Sequence, residues 1–439
     1  MRHLLNTRRF FISGTNFVVV VLVLLTTSVA MLWNTRTSLA ATTHLPPECQ
    51  QISGIFLLSP AILHYTKRAL DRDPILRASL HQLTTQANAL LTITPPSVTQ
   101  KTQLPPGGDI HDYYSLAPYW WPNPNTPDHL PYVQRDGQTN PEIYTIPDKV
   151  GIYTMADDVY TLALAYYFTD KESYAAKATS FLHVWFLNKA TAMNPNLNHA
   201  QVIKGINTGG SPGIIEARYF SHVIDAIGFL ARSDSWKDHD EQGMKKWFSQ
   251  YLTWLETSPL GQQEGSAINN HSTWYDVQTA SIALFLHQTS AAKKILQASF
   301  ARHIDGHILA DGSQPFEITR TLSWHYSVFN LQALFWLASM GDRVGVDLWH
   351  YTNPQGAGLQ KALDYVLPAA LGAPWPYQQI TPLLPSELVE VLYQAAAHYH
   401  KASYLQAAKS IIGADANKNL DNLLYGDTTG KHDEDVTKE

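Results

Sequence analysis

Asn270 and His271, followed some fifty residues later by Arg320 and Tyr326, are the residues of this chain whose types can do chemistry together. Arginine offers a planar donor fork that matches a carboxylate. Asparagine adds a neutral donor, and histidine titrates near neutrality. Tyrosine exchanges a proton where nearby cations lower its pKa from about 10. Such a set can neutralise a carboxylate, take a carbon-bound proton and return one to a leaving oxygen. Each member also has a plain structural use. Asn269 or Asn270 can cap a helix, and Arg320 with Tyr326 can be an ion pair beside a core ring.

Two irregular stretches, 93–147 and 189–212, supply further candidates. The first contains Tyr113, Tyr114, Tyr119, Trp120 and Trp121, five rings within nine residues, punctuated by proline. An irregular segment cannot turn all five into one core. Tyr113, Tyr114, Trp120 and Trp121 are therefore expected to offer faces for stacking on sugars, with a hydrophobic plug as the structural alternative. The second stretch carries Lys204 and Asn207, either of which can meet a carboxylate, although turn formation accounts for most of its asparagines. Gly209-Gly210 lacks the Lys-Ser/Thr ending of a phosphate loop. Loops this long in a helical protein commonly bind or cover a ligand.

The elements that must position these residues are helical. Apolar residues recur at three-to-four spacing over 152–168, 173–187, 214–232, 240–256, 271–287, 290–302, 323–340, 357–370, 384–399 and 402–412. Short connections pair them, and neither βαβ alternation nor a regular repeat is present. The pattern predicts an all-α fold, an incomplete α/α toroid of helical hairpins.

With 15% charged and 11% aromatic residues, the 439-residue chain is neither a disordered polypeptide nor a nucleic-acid binder. Arg2, Arg8 and Arg9 precede an apolar run from Phe17 to Trp33, and Ser38-Leu39-Ala40 resembles a cleavage site. Residues 1–40 read as a signal peptide, or as an inner-membrane anchor if uncleaved. Export to the periplasm or the exterior follows. Their loss removes four arginines and no acid, taking the formal charge from −6 to −10. Cys49 is the only cysteine, so no intramolecular disulfide forms. Residues 46–425 read as one catalytic domain and 426–439 as a disordered tail. No HExxH or CxxC motif occurs, and His398 and His400 point to different faces of a helix, so neither metal nor cofactor is expected.

Four blocks in order carry a resemblance: His111–Pro124 (HDYYSLAPYWWPNP), Met193–Gly210 (MNPNLNHAQVIKGINTGG), Asn269–Gln278 (NNHSTWYDVQ) and Asp311–Leu331 (DGSQPFEITRTLSWHYSVFNL). Over about residues 60–400 the chain resembles the alginate lyase superfamily of polysaccharide lyases, closest to the branch acting on alginate or glucuronan. That resemblance implies a toroid with an anionic polysaccharide in a groove across its mouth. It places the family's Asn-His pair on Asn270-His271, its arginine on Arg320, its catalytic tyrosine on Tyr326 and a further carboxylate-binding asparagine on Asn207. His325, beside Tyr326, joins the substrate-binding candidates.

A chain near −10 repels a polyanion at long range, so this reading requires a local positive groove from Lys204, Arg218, Arg320 and Arg135. Two other readings compete. One is a toroidal glycoside hydrolase using two of Glu216, Asp276, Asp311 and Glu317, which must face each other across a cleft. The other is a non-catalytic polysaccharide-binding protein of the cell envelope.

Overall fold

The computed structural model describes residues 54–426, all within one compact unit. The amino-terminal signal or anchor, Cys49 and the tail beyond Gly426 lie outside the described residues. Among the described residues no helix is long and apolar enough to cross a membrane.

Two helices open the fold, α1 (Pro60–Ala69) and α2 (Pro74–Leu90). Each starts on a side-chain cap followed by proline, Ser59-Pro60 and Asp73-Pro74; Asp73 accepts from Ile75 N at 2.7 Å. The chain continues through α3 (Asp148–Thr169), α4 (Glu172–Leu182), α5 (Phe220–Leu230), α6 (Asp238–Thr257) and α7 (Pro259–Gly265). Then come α8 (Asn270–Phe285), α9 (Thr289–Ser299), α10 (Pro315–Ile318), α11 (Ser323–Val344), α12 (Leu359–Ala370), α13 (Val389–Tyr399), α14 (Ala402–Ile412) and α15 (Asp421–Tyr425).

Burial sorts these helices into two layers. Nearly every face of α3, α5, α8 and α11 is buried, while α2, α6 and α9 bury one stripe. A helix apolar or small on all sides must lie inside, and an amphipathic one can face water. The packing agrees: α3, α5, α8, α11 and α13 are successive neighbours in an inner ring. Helices α2 and α4 lie on α3, α6 and α9 on α8, α12 on α11, and α14 on α13. This is the α/α toroid that the periodicity predicts. Four tryptophans, Trp185, Trp274, Trp324 and Trp336, are fully buried in it, so much of the aromatic excess is core.

The irregular stretches hold short strands: β1 (Tyr114–Leu116), β2 (Trp120–Trp121), β3 (Val133–Gln134) and β4 (His199–Val202). Pairing of β1 with β4 in parallel joins the two long loops into one body, and β2 pairs with β3 antiparallel. A small second core of Tyr114, Leu116, Ile143, Ile146 and Val202 lies beneath them. Buried polar ties fasten this body to the ring. Lys101 and Asp148, both fully buried, meet at 2.9 Å, and Asp148 also accepts from Tyr114 N at 3.0 Å. Burial pushes the Asp148 carboxyl up to about 6 even against that lysine.

Candidate active site

Loop body and inner ring enclose a cavity of about 900 Å³. Asn270, His271, Arg320 and Tyr326 all line it, although fifty residues separate the pairs. The reason is topological: Asn270 and His271 occupy the first turn of α8, Tyr326 the first turn of α11, and the two helices pack together. Asn269 is the N-cap of α8, its Oδ1 accepting from His271 N at 3.3 Å.

His271 Nδ1 lies 2.6 Å from Glu264 Oε1, which leaves Nε2 as the ring's other functional nitrogen. Burial alone would lower the imidazole pKa, but the Glu264 carboxylate outweighs it and the net shift is upward. Tyr326 donates to Tyr119 Oη at 2.8 Å, and the Arg320 guanidinium lies 3.8 Å from the centre of its ring. Burial and the neighbouring Tyr119 push the phenol well up; Arg320 opposes them without prevailing. The lowered pKa expected from nearby cations is thus not what the site produces.

Two expected carboxylate donors are already engaged within the protein. Arg320 gives Nε and Nη2 to Asp136 at 3.2 and 2.6 Å, so its fork is occupied and Nη1 remains. Asp136 also accepts from Thr321 N and Oγ1, an approach that Gly137 permits: at its φ of 72°, a Cβ would stand 2.4 Å from Thr321 Oγ1. Asn270 gives both its backbone N–H and Nδ2 to Glu317, each at 2.7 Å, while its buried Oδ1 has no partner. Burial pushes the Glu317 carboxyl up.

Residues 97–375 match the family described as alginate lyase. The chain is also 36% identical to an alginate lyase from Bacteroides ovatus whose crystal structure is known at 1.60 Å, over 84% of this chain and 98% of that one, with a TM-score of 0.80. The chain belongs to the alginate lyase family. A variant of alginate lyase A1-III, an enzyme of Sphingomonas species A1, is similar in fold at 16% identity. It was solved with a tetrasaccharide and matches over 81% of this chain and 96% of that one, with a TM-score of 0.52. No curated protein matches. As a member of the alginate lyase family, the protein is a polysaccharide lyase.

Several candidate residues of this lyase lie elsewhere than expected. Tyr113 is buried, its hydroxyl 2.7 Å from Glu216, and Tyr114 belongs to the second core, so neither offers a stacking face. Trp121 does not line the cavity; its indole donates to Gln138 O, and the Arg135 guanidinium sits 5.0 Å from its ring. Lys204 is paired with Glu142, and Asn207 Oδ1 accepts from Ile203 N at 2.8 Å as a turn former; neither lines the cavity. Trp120 and His325 do line it, with His325 held 3.0 Å from Glu387. Of the four cations expected to form a groove, Arg218 and Arg320 are at the cavity and Lys204 and Arg135 are not.

The four carboxylates of the hydrolase reading do not share the cavity. Glu216 lines the cavity but accepts from Tyr113, Ser115 and Gln201 and pairs with Lys149. Asp276 is buried against Arg302 and His303, Asp311 binds Ser313, and Glu317 holds Asn270. Sequence reasoning missed Tyr119, Glu264 and Lys149. Tyr119 stood within the aromatic block, and Glu264 stands seven residues before His271, a spacing that becomes informative only once α7 is known to pack on α8.

Proposed function

We propose that this lyase cleaves 4-O-linked uronic acid polymers, alginate first and glucuronan second, by a β-elimination that needs no metal. The observation that carries the proposal is the pairing, in one cavity, of a histidine backed by Glu264 with a buried tyrosine phenol beside Arg320. Arg320, through its cation and remaining nitrogen, stabilises the charge that builds on the substrate carboxylate. Asn270, held by Glu317 through both its nitrogens, lines the cavity beside Arg320. A base takes the C5 proton and the freed electron pair forms the C4–C5 double bond. The C4–O4 bond breaks, and Tyr326 protonates the departing oxygen.

Stereochemistry assigns the base. In mannuronate and glucuronate the C5 proton and O4 leave from one side, so one group serves both steps: the phenolate of Tyr326, a small fraction given its upward shift, takes the C5 proton, and the phenol so formed returns it to O4. In guluronate they leave from opposite sides, and His271 takes the proton through Nε2. The basic and apolar start of the chain supports export, with cell fractionation as its check.

The test is to incubate the purified chain with polymannuronate, polyguluronate and glucuronan and to follow ultraviolet absorbance from the new double bond. Absorbance should rise on at least one polymer and be indifferent to a metal chelator. New reducing ends without absorbance would overturn the elimination. Tyr326→Phe should lose about 10²–10⁴ of the rate on every cleaved polymer, the usual weight of a proton-transfer group. His271→Asn should lose most on polyguluronate.

A further inference from the structure

The cavity's cations differ in one respect. Lys149 is paired with Glu216 at 3.0 Å, Arg320 with Asp136 at 2.6 Å, His271 with Glu264 at 2.6 Å and His325 with Glu387 at 3.0 Å. Arg218 is the exception: among the described residues no carboxylate is paired with it. Its Nη1 donates to Tyr153 Oη and Ile215 O, both at 3.2 Å, the Tyr219 hydroxyl is a further partner of the guanidinium, and its Nε is buried with no partner. Aromatic rings enclose the guanidinium, with centres at 4.3 Å for Tyr219, 5.1 Å for Tyr153, 5.2 Å for Phe329 and 5.8 Å for Trp274.

Ring faces attract a cation, each contributing about 0.5–2 kcal/mol. They do not supply the hydrogen-bond acceptors that a buried guanidinium gives up on leaving water, and that loss costs several kcal/mol. A fold selected for stability alone would place an acid or an apolar residue here. The position relative to the reacting groups is also defined. Phe329 follows Tyr326 by three residues on α11, and Trp274 follows Asn270 by four on α8. Arg218 therefore faces the second turn of both helices whose first turns carry the proton-transfer residues. One turn is about 5.4 Å, the scale of one sugar ring.

We propose that Arg218, with the ring faces of Tyr153, Tyr219 and Phe329, forms a subsite for the carboxylate of a second uronate, next to the one that reacts. The guanidinium takes the carboxylate, and the rings take the apolar face of the pyranose. This rests on the uronan reading and sharpens it: the enzyme recognises at least two adjacent acidic sugars, and a neutral neighbour is discriminated against.

Arg218→Gln and Arg218→Lys, assayed on uronan oligomers, test it. Arg218→Gln should raise KM about tenfold or more with kcat within about threefold, the signature of lost binding that is equal in ground and transition states. Arg218→Lys should recover part of that loss. On oligomers with every second uronate reduced to the neutral hexose, the wild type should already show the raised KM and Arg218→Gln should add nothing. Urea unfolding of Arg218→Gln should show equal or greater stability, because no acid is left unpaired. A kcat loss at unchanged KM would assign Arg218 to the reacting sugar and overturn the subsite. Unchanged constants, or a loosened fold without a KM effect, would overturn it as well. Should the wild type leave every uronan intact, the uronan reading itself falls; should it cleave while Arg218→Gln behaves identically, the subsite alone falls.

Discussion

Burial and Glu264 pull the His271 pKa in opposite directions, and the carboxylate wins. The consequence for polyguluronate cleavage has a definite sign. A base must be neutral, so kcat/KM should rise with pH along a limb set above the ordinary histidine value of about 6.5. Tyr326 must keep its proton to act as acid, and its upward shift places the alkaline limb beyond the ordinary tyrosine value of about 10. Glu264→Gln removes the group that favours the imidazolium and leaves burial to act alone. Its acid limb should move to lower pH and its plateau should fall, because the base is weaker; a limb that stays in place would show that His271 is not the titrating base. Residue types were legible in the sequence here, since Asn270, His271, Arg320 and Tyr326 do reach one cavity. Their partners were not. Asp136 and Glu317 engage Arg320 and Asn270 from 184 and 47 residues away, and such pairings follow from packing that no local pattern encodes.

At the scale of elements, Glu216 joins three pieces of the fold. It accepts from Tyr113 and Ser115 around β1 at 2.7 and 2.6 Å, from Gln201 in β4 at 3.2 Å, and pairs with Lys149 in α3 at 3.0 Å. Glu216→Ala leaves the Tyr113 and Ser115 O–H donors without their acceptor and Lys149 without a counter-ion. Breaking such a buried set costs about 3–5 kcal/mol, to be read as a lower urea midpoint. Glu216→Gln, which keeps an acceptor and the shape, should cost less. Full stability with abolished cleavage would instead make Glu216 a reacting carboxylate and revive the hydrolase reading. The helices were legible because burying one face imposes a 3.6-residue period over a dozen residues or more. The strands were not, since segments of two to four residues are too short for alternation to register. Tyr113 and Tyr114 were misplaced for the same reason: Tyr113, just before β1, is buried against Glu216, and Tyr114, the first residue of β1, lies in the small core.

For the whole molecule the main conflict is one of sign. The chain carries a formal charge of −6, or −10 without residues 1–40, and the cavity's cations are nearly all matched by their own acids. The toroid was legible from helix periodicity, whereas the charge balance inside its cavity emerges only when side chains are placed; a groove of four free cations is replaced by one unmatched arginine. A polyanion approaching this surface meets repulsion at long range and attraction only on contact. The Debye length falls from about 30 Å at 0.01 M salt to about 10 Å at 0.1 M, so added salt first removes the distant repulsion. Beyond that, it weakens the contacts with Arg218 and Arg320. For long uronan chains kcat/KM should therefore rise between about 0.01 and 0.1 M salt and decline at higher concentration, while short oligomers, with less charge outside the cavity, should show a smaller rise. A rate on polymer that falls steadily from the lowest salt would mean that an attractive field reaches well beyond the cavity, and the charge pairing described for its lining would not account for how substrate is drawn in.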